Sequence, residues 1–565
     1  MKKSSLILFA LLVFKFGIRA QELTSKWSDK IELHNSKDGF FSYFLGENKR
    51  FLYAYFSKKG KSERKKIVAF DKKTMKRQFA TEVIGYPSNS KDSKKFKGLD
   101  LYKTIVYDDV LHAFFKSDDK NSKSILVKSF SAELKVKEPL KKIISQPKKE
   151  KRKNKSASLF VMGNKETGKV FIGVEKETVP KDNVVLEYKV LDSDFSISDA
   201  NQITLPIRYK GVNWFRGGAD GLSSSYLLGD DGNVHIRKGS LLGIINLTSG
   251  KLTTTEVKTD EKRLFSIYRM VSKSKTRLYG YYSDLTRDRK GREVHGIFYA
   301  ILTKDYKIKN MVFSGFNKKL MKELFKDDKD DKDGGRKGGC CLIGKKGSTH
   351  ANDETMNSDY IIEEALEGDG GSVYLFTTKM DNYSVRSCTT DANGNTTCTT
   401  SYYCKKGNVT TFKISKDGDI EWASNHDRVK VYNGWFVYDI SVIQDKKGFY
   451  ATYGTVKNKR AKKPWFMLLK KVDYTNPMEY VFINKKSGKV SKKVLKVNQP
   501  NSPSNMAKYI DATEVTVIDN KLYVNSSKEF VTPLGYCLGG FLTPNLRGGL
   551  TKGYGFFGVL EPVKR

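Results

Sequence analysis

The chain repeats a hairpin pattern, in which apolar residues alternating with polar ones are followed by a tight turn and a second run of the same kind. The clearest copy lies between Val409 and Trp422, where the run Val-Thr-Thr-Phe-Lys-Ile stops at the turn 415–418 and resumes as Asp-Ile-Glu-Trp. Alternation with period two around a turn that contains glycine is typical of a β-hairpin. The copies of this pattern have turns that begin at Asp71, Ser131, Asp192, Thr248, Thr303, Ser415 and Asn484.

The spacing of these turns indicates a structural repeat. Successive turns are separated by 60, 61, 56, 55, 112 and 69 residues, and because 112 is twice 56 the sixth unit is expected to carry an insertion. The first unit shows what one repeat contains, with β-type runs at residues 39–45, 51–56, 66–70 and 75–83 separated by polar turns. Four antiparallel strands in one repeat predict a propeller blade.

The sequence therefore predicts an all-β fold, a β-propeller of eight blades, with seven blades as the alternative. The last unit is partial, with β-type runs at residues 513–518, 521–524 and 554–560. We expect residues 30–33, near the N-terminus, to add the missing strand and close the ring, which would cover its edges. Residues 21–565 then form one propeller domain, in which a loop insertion at 316–358 and a hairpin insertion at 380–406 belong to the sixth blade.

The first twenty residues have the pattern of a secretory signal. Lys2 and Lys3 precede an apolar run at residues 6–14, and Ala20 offers a small residue at the expected cleavage site. No later stretch approaches the roughly 18 continuous apolar residues of a membrane-spanning helix. The protein is therefore expected to be exported, and to be periplasmic, outer-membrane-associated or extracellular, with residues 1–20 removed.

Charge adds a second expectation. The chain has 103 lysine and arginine residues against 63 acidic ones, a formal net charge of +40. Lysine spread over turns and polar strand faces is ordinary for a solvated surface, but a surplus of this size also attracts anionic partners. The densest basic run lies between the second and third units, and this predicted basic patch consists of Lys148, Lys149, Lys151, Arg152, Lys153 and Lys155.

Part of the chain resembles a known protein family. The stretch Gly368-Asp-Gly-Gly371, the later segment Thr-Thr-Asp-Ala-Asn-Gly-Asn-Thr-Thr and the hairpin that ends at Trp422 are similar to a family of exported, propeller-like bacterial proteins of unassigned activity. The strand Gly296-Ile-Phe-Tyr299 shares the resemblance, which covers roughly residues 265–460. The resemblance implies a propeller fold and export, and it supplies no catalytic residues.

Motifs that suggest cofactor or metal chemistry are incomplete. The G-x-G-x-x-G run at 553–558 is followed by too few residues for a helix, so it is interpreted as a glycine-rich final strand. The run 339–346 has lysine where a P-loop needs Ser or Thr, and an EF-hand register over 329–340 ends in Cys340 instead of glutamate. The histidines are scattered without paired spacing. We therefore predict no cofactor and no metal, and identify no catalytic residues.

The cysteines predict at least one disulfide. Cys388 and Cys398 flank the turn 391–395 symmetrically, so they should face each other across a hairpin and form a bridge in an oxidising compartment. A second bridge is expected between Cys404 and one of the adjacent cysteines, Cys340 or Cys341. The partner of Cys537 is left open. A zinc site built from the same thiols lacks the usual C-x₂₋₄-C spacing.

These observations favour a non-enzymatic binding or scaffold protein of the bacterial cell envelope. Its expected partner is an anionic glycan, a lipid headgroup or another envelope protein, and no nucleic acid is expected because no recognition module is present. The alternative is a polysaccharide hydrolase or lyase with carboxylates in the central channel. The two functions differ in what should lie there, because an enzyme needs converging carboxylates whereas a binding protein would present aromatic or basic side chains.

Overall fold

The computed structural model describes the chain between residues 23 and 563, with gaps. The described residues are 23–29, 31–32, 40–58, 64–83, 99–118, 122–147, 159–165, 167–177, 184–205, 225–229, 231–238, 241–257, 259, 261–271, 276–287, 293–303, 305–324, 356–357, 360–390, 396–426, 430–433, 440–452, 479–495, 515–531 and 551–563. The predicted signal, the predicted basic patch (Lys148 to Lys155) and the run at 329–340 lie outside them.

Eight antiparallel sheets follow one another along the chain and form an eight-bladed propeller, which confirms the predicted fold. The first four blades consist of β3 (Phe40–Glu47), β4 (Phe51–Lys58), β5 (Arg64–Asp71) and β6 (Arg77–Glu82); β7 (Leu99–Tyr107), β8 (Val110–Asp118), β9 (Ser122–Phe130) and β10 (Val136–Pro147); β11 (Leu159–Gly163), β12 (Val170–Glu177), β13 (Val184–Leu191) and β14 (Ile197–Leu205); and β15 (Ser225–Leu228), β16 (Val234–Lys238), β17 (Leu241–Ile245) and β18 (Leu252–Glu256).

The second half of the ring has the same order, with additions in blades 5, 6 and 8. Its strands are β19 (Lys262–Val271), β20 (Thr276–Asp284), β22 (Gly296–Leu302) and β23 (Ile308–Gly315) in blade 5; β25 (Tyr360–Glu367), β26 (Val373–Thr390), β27 (Thr396–Ile414) and β28 (Ile420–His426) in blade 6; β30 (Ser441–Gln444), β31 (Gly448–Thr452), β32 (Glu479–Asn484) and β33 (Val490–Val494) in blade 7; and β34 (Thr516–Ile518), β35 (Lys521–Val531) and β36 (Thr551–Pro562) in blade 8.

The hairpins seen in the sequence join the third and fourth strands of blades 1 to 7, and we refer to their turns as the outer turns. In blades 1, 2, 3 and 5 one residue of the outer turn adopts the left-handed conformation although it is not glycine, and these residues are Met75, Leu134, Phe195 and Tyr306. All four side chains are buried. A bulky residue rarely adopts this backbone conformation, so the packing of its side chain must offset the strain.

In the outer turns of blades 4, 6 and 7 the residue in the left-handed conformation is a glycine, at Gly250, Gly418 and Gly488. A Cβ atom at Gly488 would lie 2.6 Å from the ring of Trp422 in blade 6, and one at Gly418 would lie 2.8 Å from the ring of Tyr299 in blade 5. A side chain therefore fills the space between the outer turn and the preceding blade. This side chain belongs either to the turn itself or to the preceding blade.

The N-terminal segment closes the ring. Strand β1 (Leu23–Trp27) pairs with β36 over five residues, and β2 (Ile31–Glu32) pairs with the same strand further along. Closure by an N-terminal strand is confirmed, but the predicted run 30–33 supplies two residues, and the longer pairing comes from a segment just before it. Alternate residues of β1 are buried against blades 7 and 8, and Trp27 covers Gly558.

A buried carboxylate joins the last blade to the first. Glu47, at the end of β3, is almost fully buried and accepts a hydrogen bond from the hydroxyl of Tyr523 in blade 8. Its other oxygen lies 2.8 Å from Nζ of Lys72 and 3.9 Å from Nζ of Lys521. The carboxylate thus receives donors from both sides of the seam, which compensates for its removal from water.

Both predicted insertions lie where the chain enters and extends blade 6. The first contains the short helix α1 (Lys318–Leu324) and β24 (Met356–Asn357), which pairs with β21 (Glu293–Val294) from blade 5. The second is the extended hairpin of β26 and β27, whose far part also pairs with β29 (Lys430–Asn433). One turn of 3₁₀ helix, Asp369–Gly371, joins β25 and β26. The helices that are described are too short to cross a bilayer.

The extended hairpin has the predicted register and disulfide. Cys388 pairs with Cys398, and their sulfur atoms are bonded. The side chains at 386–390 and 396–400 are exposed, and the hydroxyls of Thr390 and Thr396 lie 2.9 Å apart. Cys404 lies in β27 opposite residues 382 and 432. Its predicted partner Cys340, like Cys341 and Cys537, lies outside the described residues, so the second bridge stays a prediction.

We expect removal of the closing strand to destabilise the whole ring. Deleting residues 21–35 exposes the edge of β36 and should lower the melting temperature and promote aggregation. The point variant Trp27→Ala removes a large buried side chain and should cost about 3 to 5 kcal/mol in chemical denaturation. Val517→Ala, an exposed position of the same blade, is the matched control. Unchanged melting of the deletion variant would contradict ring closure by this segment.

The disulfide should order the hairpin locally. A loop of this length contributes about 2 to 3 kcal/mol by the chain-entropy model. In the double variant Cys388→Ser/Cys398→Ser, amide hydrogen exchange at 386–400 should accelerate about 30- to 150-fold, while the exchange of β4 and β5 stays unchanged. The variant Thr389→Ser/Thr397→Ser keeps the bridge and serves as the control. Peptide mapping without reductant that found Cys388 free would refute the pairing in solution.

Candidate functional site

The first strands of the blades surround the propeller axis. Contacts join the first strands of blades 1 and 2, 3 and 4, 5 and 6, 7 and 8, and 8 and 1. We call them the innermost strands. Ligand sites are usually concave and lie where structural elements converge, so the exposed residues of the innermost strands are the first place to look for a site.

Two tyrosines are exposed at the same level of neighbouring innermost strands. Thr104 Oγ1 donates a 2.8 Å hydrogen bond to the carbonyl of Leu45, which ties β7 to β3. Tyr102 lies two residues before Thr104, and Tyr43 lies two residues before Leu45. Their exposed fractions are 40% and 42%, the largest among the tyrosines that are described. Exposed aromatic rings on adjoining strands of a rigid scaffold are a common feature of binding surfaces.

β-Bulges set the orientation of both tyrosines. The pairing of β7 with β8 shifts between Leu101 and Lys103, so Tyr102 has no partner in the ladder. The pairing of β3 with β4 shifts between Phe41 and Tyr43. A bulge inserts an extra residue and redirects side chains locally, and it is frequent next to functional sites. Each bulge thus turns an aromatic ring away from the regular alternation of its strand.

Lysines and an aspartate complete this surface. Lys116 Nζ lies 3.5 Å from the centroid of the Tyr102 ring, a cation–π contact. In the neighbouring blade, Lys65 Nζ lies 3.1 Å from Asp100 Oδ1 and 3.2 Å from the carbonyl oxygen of Leu99. We define the aromatic–lysine patch as Tyr43, Tyr102, Lys65, Lys116 and Asp100.

The patch is partly shielded from solvent. Desolvation lowers the pKa of Lys116, and the nearby charge of Lys123 lowers it further. Burial raises the pKa of Tyr102, and for Tyr43 the charge of Asp100 adds to the effect of burial. Cations and rings that have already lost part of their hydration need to give up less water on meeting a ligand. The patch therefore combines an attractive charge with a reduced desolvation cost.

Carboxylates of the innermost strands are engaged by neighbouring blades. Glu363 Oε2 accepts a 2.8 Å hydrogen bond from the backbone N–H of Ile440, and Glu364 Oε1 lies 3.2 Å from the Tyr268 hydroxyl. Glu367 pairs with Arg277 at 2.5 Å. Glu47 belongs to the seam described above. A catalytic pair of carboxylates needs a shared cavity and a free substrate face, whereas these groups hold the blades together.

Histidines of the described chain lie between strands and not at an exposed site. His112 Nδ1 and Ser129 Oγ are 2.8 Å apart, and the imidazole stacks on Phe195. Burial lowers the pKa of His112 and that of His426 to about 3. His235 and His295 are also buried. His34 and His350 lie outside the described residues, and no group of three potential metal ligands is found where side chains are described.

The sequence-predicted site residues and the structural site differ. The predicted basic patch and Cys340 lie outside the described residues, whereas Cys388 and Cys398 lie at the tip of a hairpin in blade 6. The aromatic–lysine patch was missed. Its one signal in the sequence is the break in alternation at Leu-Asp-Leu-Tyr102-Lys, where an extra residue interrupts period two, and such a break does not reveal which way the ring turns.

Acid should weaken the protein through His112. In the unfolded chain an imidazole binds its proton near pH 6.5, whereas folded His112 does so near pH 3, so protons favour the unfolded chain between these values. The free energy of unfolding should fall by about 2 to 3 kcal/mol from this residue between pH 6.5 and pH 4.5. In His112→Asn the decrease over this interval, measured by urea denaturation, should be smaller by that amount. An equal decrease in both proteins would refute the assignment.

Comparisons with known proteins identify no family. No protein-family model matches the chain, and no curated protein matches it. It is similar to the β-propeller domain of the Trilobed protease from Pyrococcus furiosus, described as having an open velcro topology, with 11% identity, 72% of this chain and 98% of that chain covered, and a TM-score of 0.30. For a protein of unknown function from Bacteroides caccae the values are 9%, 64%, 90% and 0.24, and for the phage phi92 endosialidase 10%, 96%, 70% and 0.27. Similarities this weak carry no argument about function.

Proposed function

We propose that this protein is an exported, non-enzymatic binding protein of the bacterial cell envelope, which holds an anionic glycan at the aromatic–lysine patch. The observation that carries the proposal is the pair of exposed rings, Tyr43 and Tyr102, on adjoining innermost strands with lysines beside them. Export rests on the N-terminal pattern of the sequence, and the anionic character of the ligand rests on the charge of the chain.

The chemistry of the patch suits a sugar chain. The C–H faces of a sugar ring are apolar and pack on aromatic rings, while its hydroxyls remain in water or bind polar neighbours. Lys116 places a positive charge over Tyr102, and Lys65 places another beside Asp100. A carboxylate, sulfate or phosphate group on the glycan would pair with these lysines. The aspartate can accept hydrogen bonds from hydroxyls.

The net charge supports the same partner at long range. With +40 on the whole chain, an anionic polymer is attracted from beyond contact distance and its association is accelerated. Charge alone does not discriminate among anionic polymers. The rings would supply the discrimination between a glycan and another polyanion, because they require a stacking partner.

The arrangement of carboxylates favours binding over hydrolysis. Glu363, Glu364 and Glu367 each contact a residue of an adjacent blade. Groups held in this way are not positioned as an acid and a base on two sides of a glycosidic bond. Incubation with the glycan followed by size analysis provides the direct check, since a hydrolase or lyase would shorten the chain.

We expect the purified mature protein to bind polygalacturonate and not the neutral polymer dextran in isothermal titration calorimetry. Tyr102→Ala and Tyr43→Ala should each weaken the affinity about 10-fold or more, because each removes an aromatic contact at the centre of the surface. Lys116→Gln should weaken it several-fold. The matched controls are Lys135→Gln, exposed on the outer turn of the same blade, and Ile197→Ala, exposed on the last strand of blade 3.

The salt dependence separates the contribution of charge from that of the patch. Affinity should fall steeply between about 50 and 200 mM salt, because the electrostatic screening length drops from ~14 Å to ~7 Å over this range. Replacing the six basic residues of the predicted basic patch, Lys148 to Lys155, with serine should reduce this salt dependence and leave the effect of Tyr102→Ala intact. An affinity for polygalacturonate that is unchanged in Tyr43→Ala and Tyr102→Ala, or equal binding of dextran, would overturn the proposal.

A further inference from the structure

Lys103 is the lysine of the innermost strand that carries Tyr102. It follows Tyr102 directly in β7, at the bulge between Leu101 and Lys103. Its side chain is exposed, and within the described part of the chain it takes part in no ion pair, hydrogen bond or ring contact. The aromatic–lysine patch therefore has a cation next to it whose donors are available to a ligand.

The bulge brings Lys103 to the same face of blade 2 as the Tyr102 ring. Lys103 pairs with Phe114 in β8, and the side chain of Phe114 packs in the core between blades 2 and 3. Lys116 lies two residues after Phe114 and so shares its face, and its ammonium contacts the Tyr102 ring. In a regular strand two consecutive side chains point to opposite faces. Here ring and ammonium stand together on the face that turns toward blade 3.

The lysines of the patch already have partners in the protein. Lys65 forms an ion pair with Asp100, and Lys116 lies over the ring of Tyr102. These contacts hold the carboxylate and the ring in place, and they occupy part of the hydrogen-bonding and electrostatic capacity of both ammonium groups. An ammonium group has three donors. Lys103 can direct all of them to a ligand.

The surroundings of Lys103 favour a negatively charged partner. Although its side chain is exposed, loss of hydration lowers the pKa of its ammonium, and no neighbouring charge adds to this effect. A group that is open to solvent and yet has dense protein around it lies on a concave wall, as expected for an innermost strand. A partly dehydrated cation without a counter-charge gains more from an anion than a fully hydrated cation does.

We propose that Lys103 recognises the acidic group of the bound glycan, while the neighbouring ring of Tyr102 stacks on the sugar that carries this group. Because the two side chains are consecutive and share a face, the acidic group has to be attached to the stacked sugar itself. The ligand class is thereby narrowed to chains of acidic sugars such as uronic acids. This inference rests on the proposed function, since it assigns the recognition of charge within the same site.

A pair of oligosaccharides tests this role. Trigalacturonate and its methyl ester have the same sugar rings and differ in charge, and their affinities for the purified mature protein are compared by calorimetry. In about 150 mM salt the general positive charge acts over only about 8 Å. The wild type should prefer the acid about 10-fold or more, because a hydrogen bond between charged groups is stronger than one to an ester.

Variants assign this preference to one residue. In Lys103→Gln the preference for the acid should fall to about two-fold or less while the affinity for the ester stays unchanged, because only the charged contact is lost. Lys103→Arg should retain the preference. Lys116→Gln should lose less of it than Lys103→Gln does, and Lys135→Gln, on the outer turn of the same blade, is the matched control for the loss of one charge.

Protection from acetylation gives a readout that needs no variant. The wild-type protein is treated with a limiting amount of acetic anhydride, and the modified lysines are identified by peptide mass spectrometry. Saturating trigalacturonate should reduce the modification of Lys103 several-fold and leave that of Lys135 unchanged. The methyl ester should protect Lys103 less than the acid does.

The outcomes separate this inference from the proposed function. If the acid binds and Tyr102→Ala weakens it, but Lys103→Gln keeps the full preference or loses no more of it than Lys116→Gln, the role of Lys103 is wrong and the glycan site stands. Unchanged acetylation of Lys103 at saturation has the same meaning. If neither oligosaccharide binds, or if Tyr102→Ala has no effect on their binding, the proposed function itself is wrong.

Discussion

The contact of each outer turn with the blade before it is the interaction on which the ring depends. A four-stranded sheet has two faces, and in this fold both can be covered only by neighbouring blades. Met75, Leu134, Phe195 and Tyr306 adopt a strained backbone conformation and bury their side chains at these contacts. Gly250, Gly418 and Gly488 leave the space to residues of the preceding blade. Either solution fills the gap between sheets without a void, as close packing requires.

The interfaces between blades differ in the polar and aromatic residues that occupy equivalent positions. Near the start of the second strand, several blades carry a polar or aromatic residue that reaches the next blade. The Tyr53 hydroxyl donates to the carbonyl of Ala132 at 3.0 Å, and the Tyr374 hydroxyl donates to that of Lys485 at 3.3 Å. His112 stacks on Phe195 instead. Substitutions at one repeated position thus yield a hydrogen bond, a ring stack or, at His235, a contact with the Asp231 carboxylate. Repetition makes the frame tolerant of such changes, because each interface is supported by two whole sheets.

In this ring, the residues that stabilise the fold and the residues proposed to bind a ligand lie at different positions. The buried carboxylates and histidines hold blades to one another, and burial lowers the pKa of His112 and of His426. The innermost strands tolerate bulges because their channel-side edge is not paired within the blade, and the bulges in β3 and β7 turn rings outward. The aromatic–lysine patch is exposed by a break in a ladder, whereas the seam carboxylate of Glu47 is buried between two blades.

The sequence by itself determined the repeated blades and the hairpin disulfide, because these depend on local rules, whereas it left eight and seven blades as alternatives between which the structure decided. Period-two alternation and tight turns specify a hairpin wherever they occur, and Cys388 and Cys398 meet because they are equidistant from one turn. It also predicted closure of the ring by an N-terminal strand, but the main pairing falls at Leu23–Trp27 because burial against blades 7 and 8 selects the alternating residues there. Only the tertiary structure placed Tyr43 and Tyr102 on adjoining innermost strands. These two residues come from different blades, and their common exposure depends on strand level and on bulges, which the one-dimensional pattern does not encode.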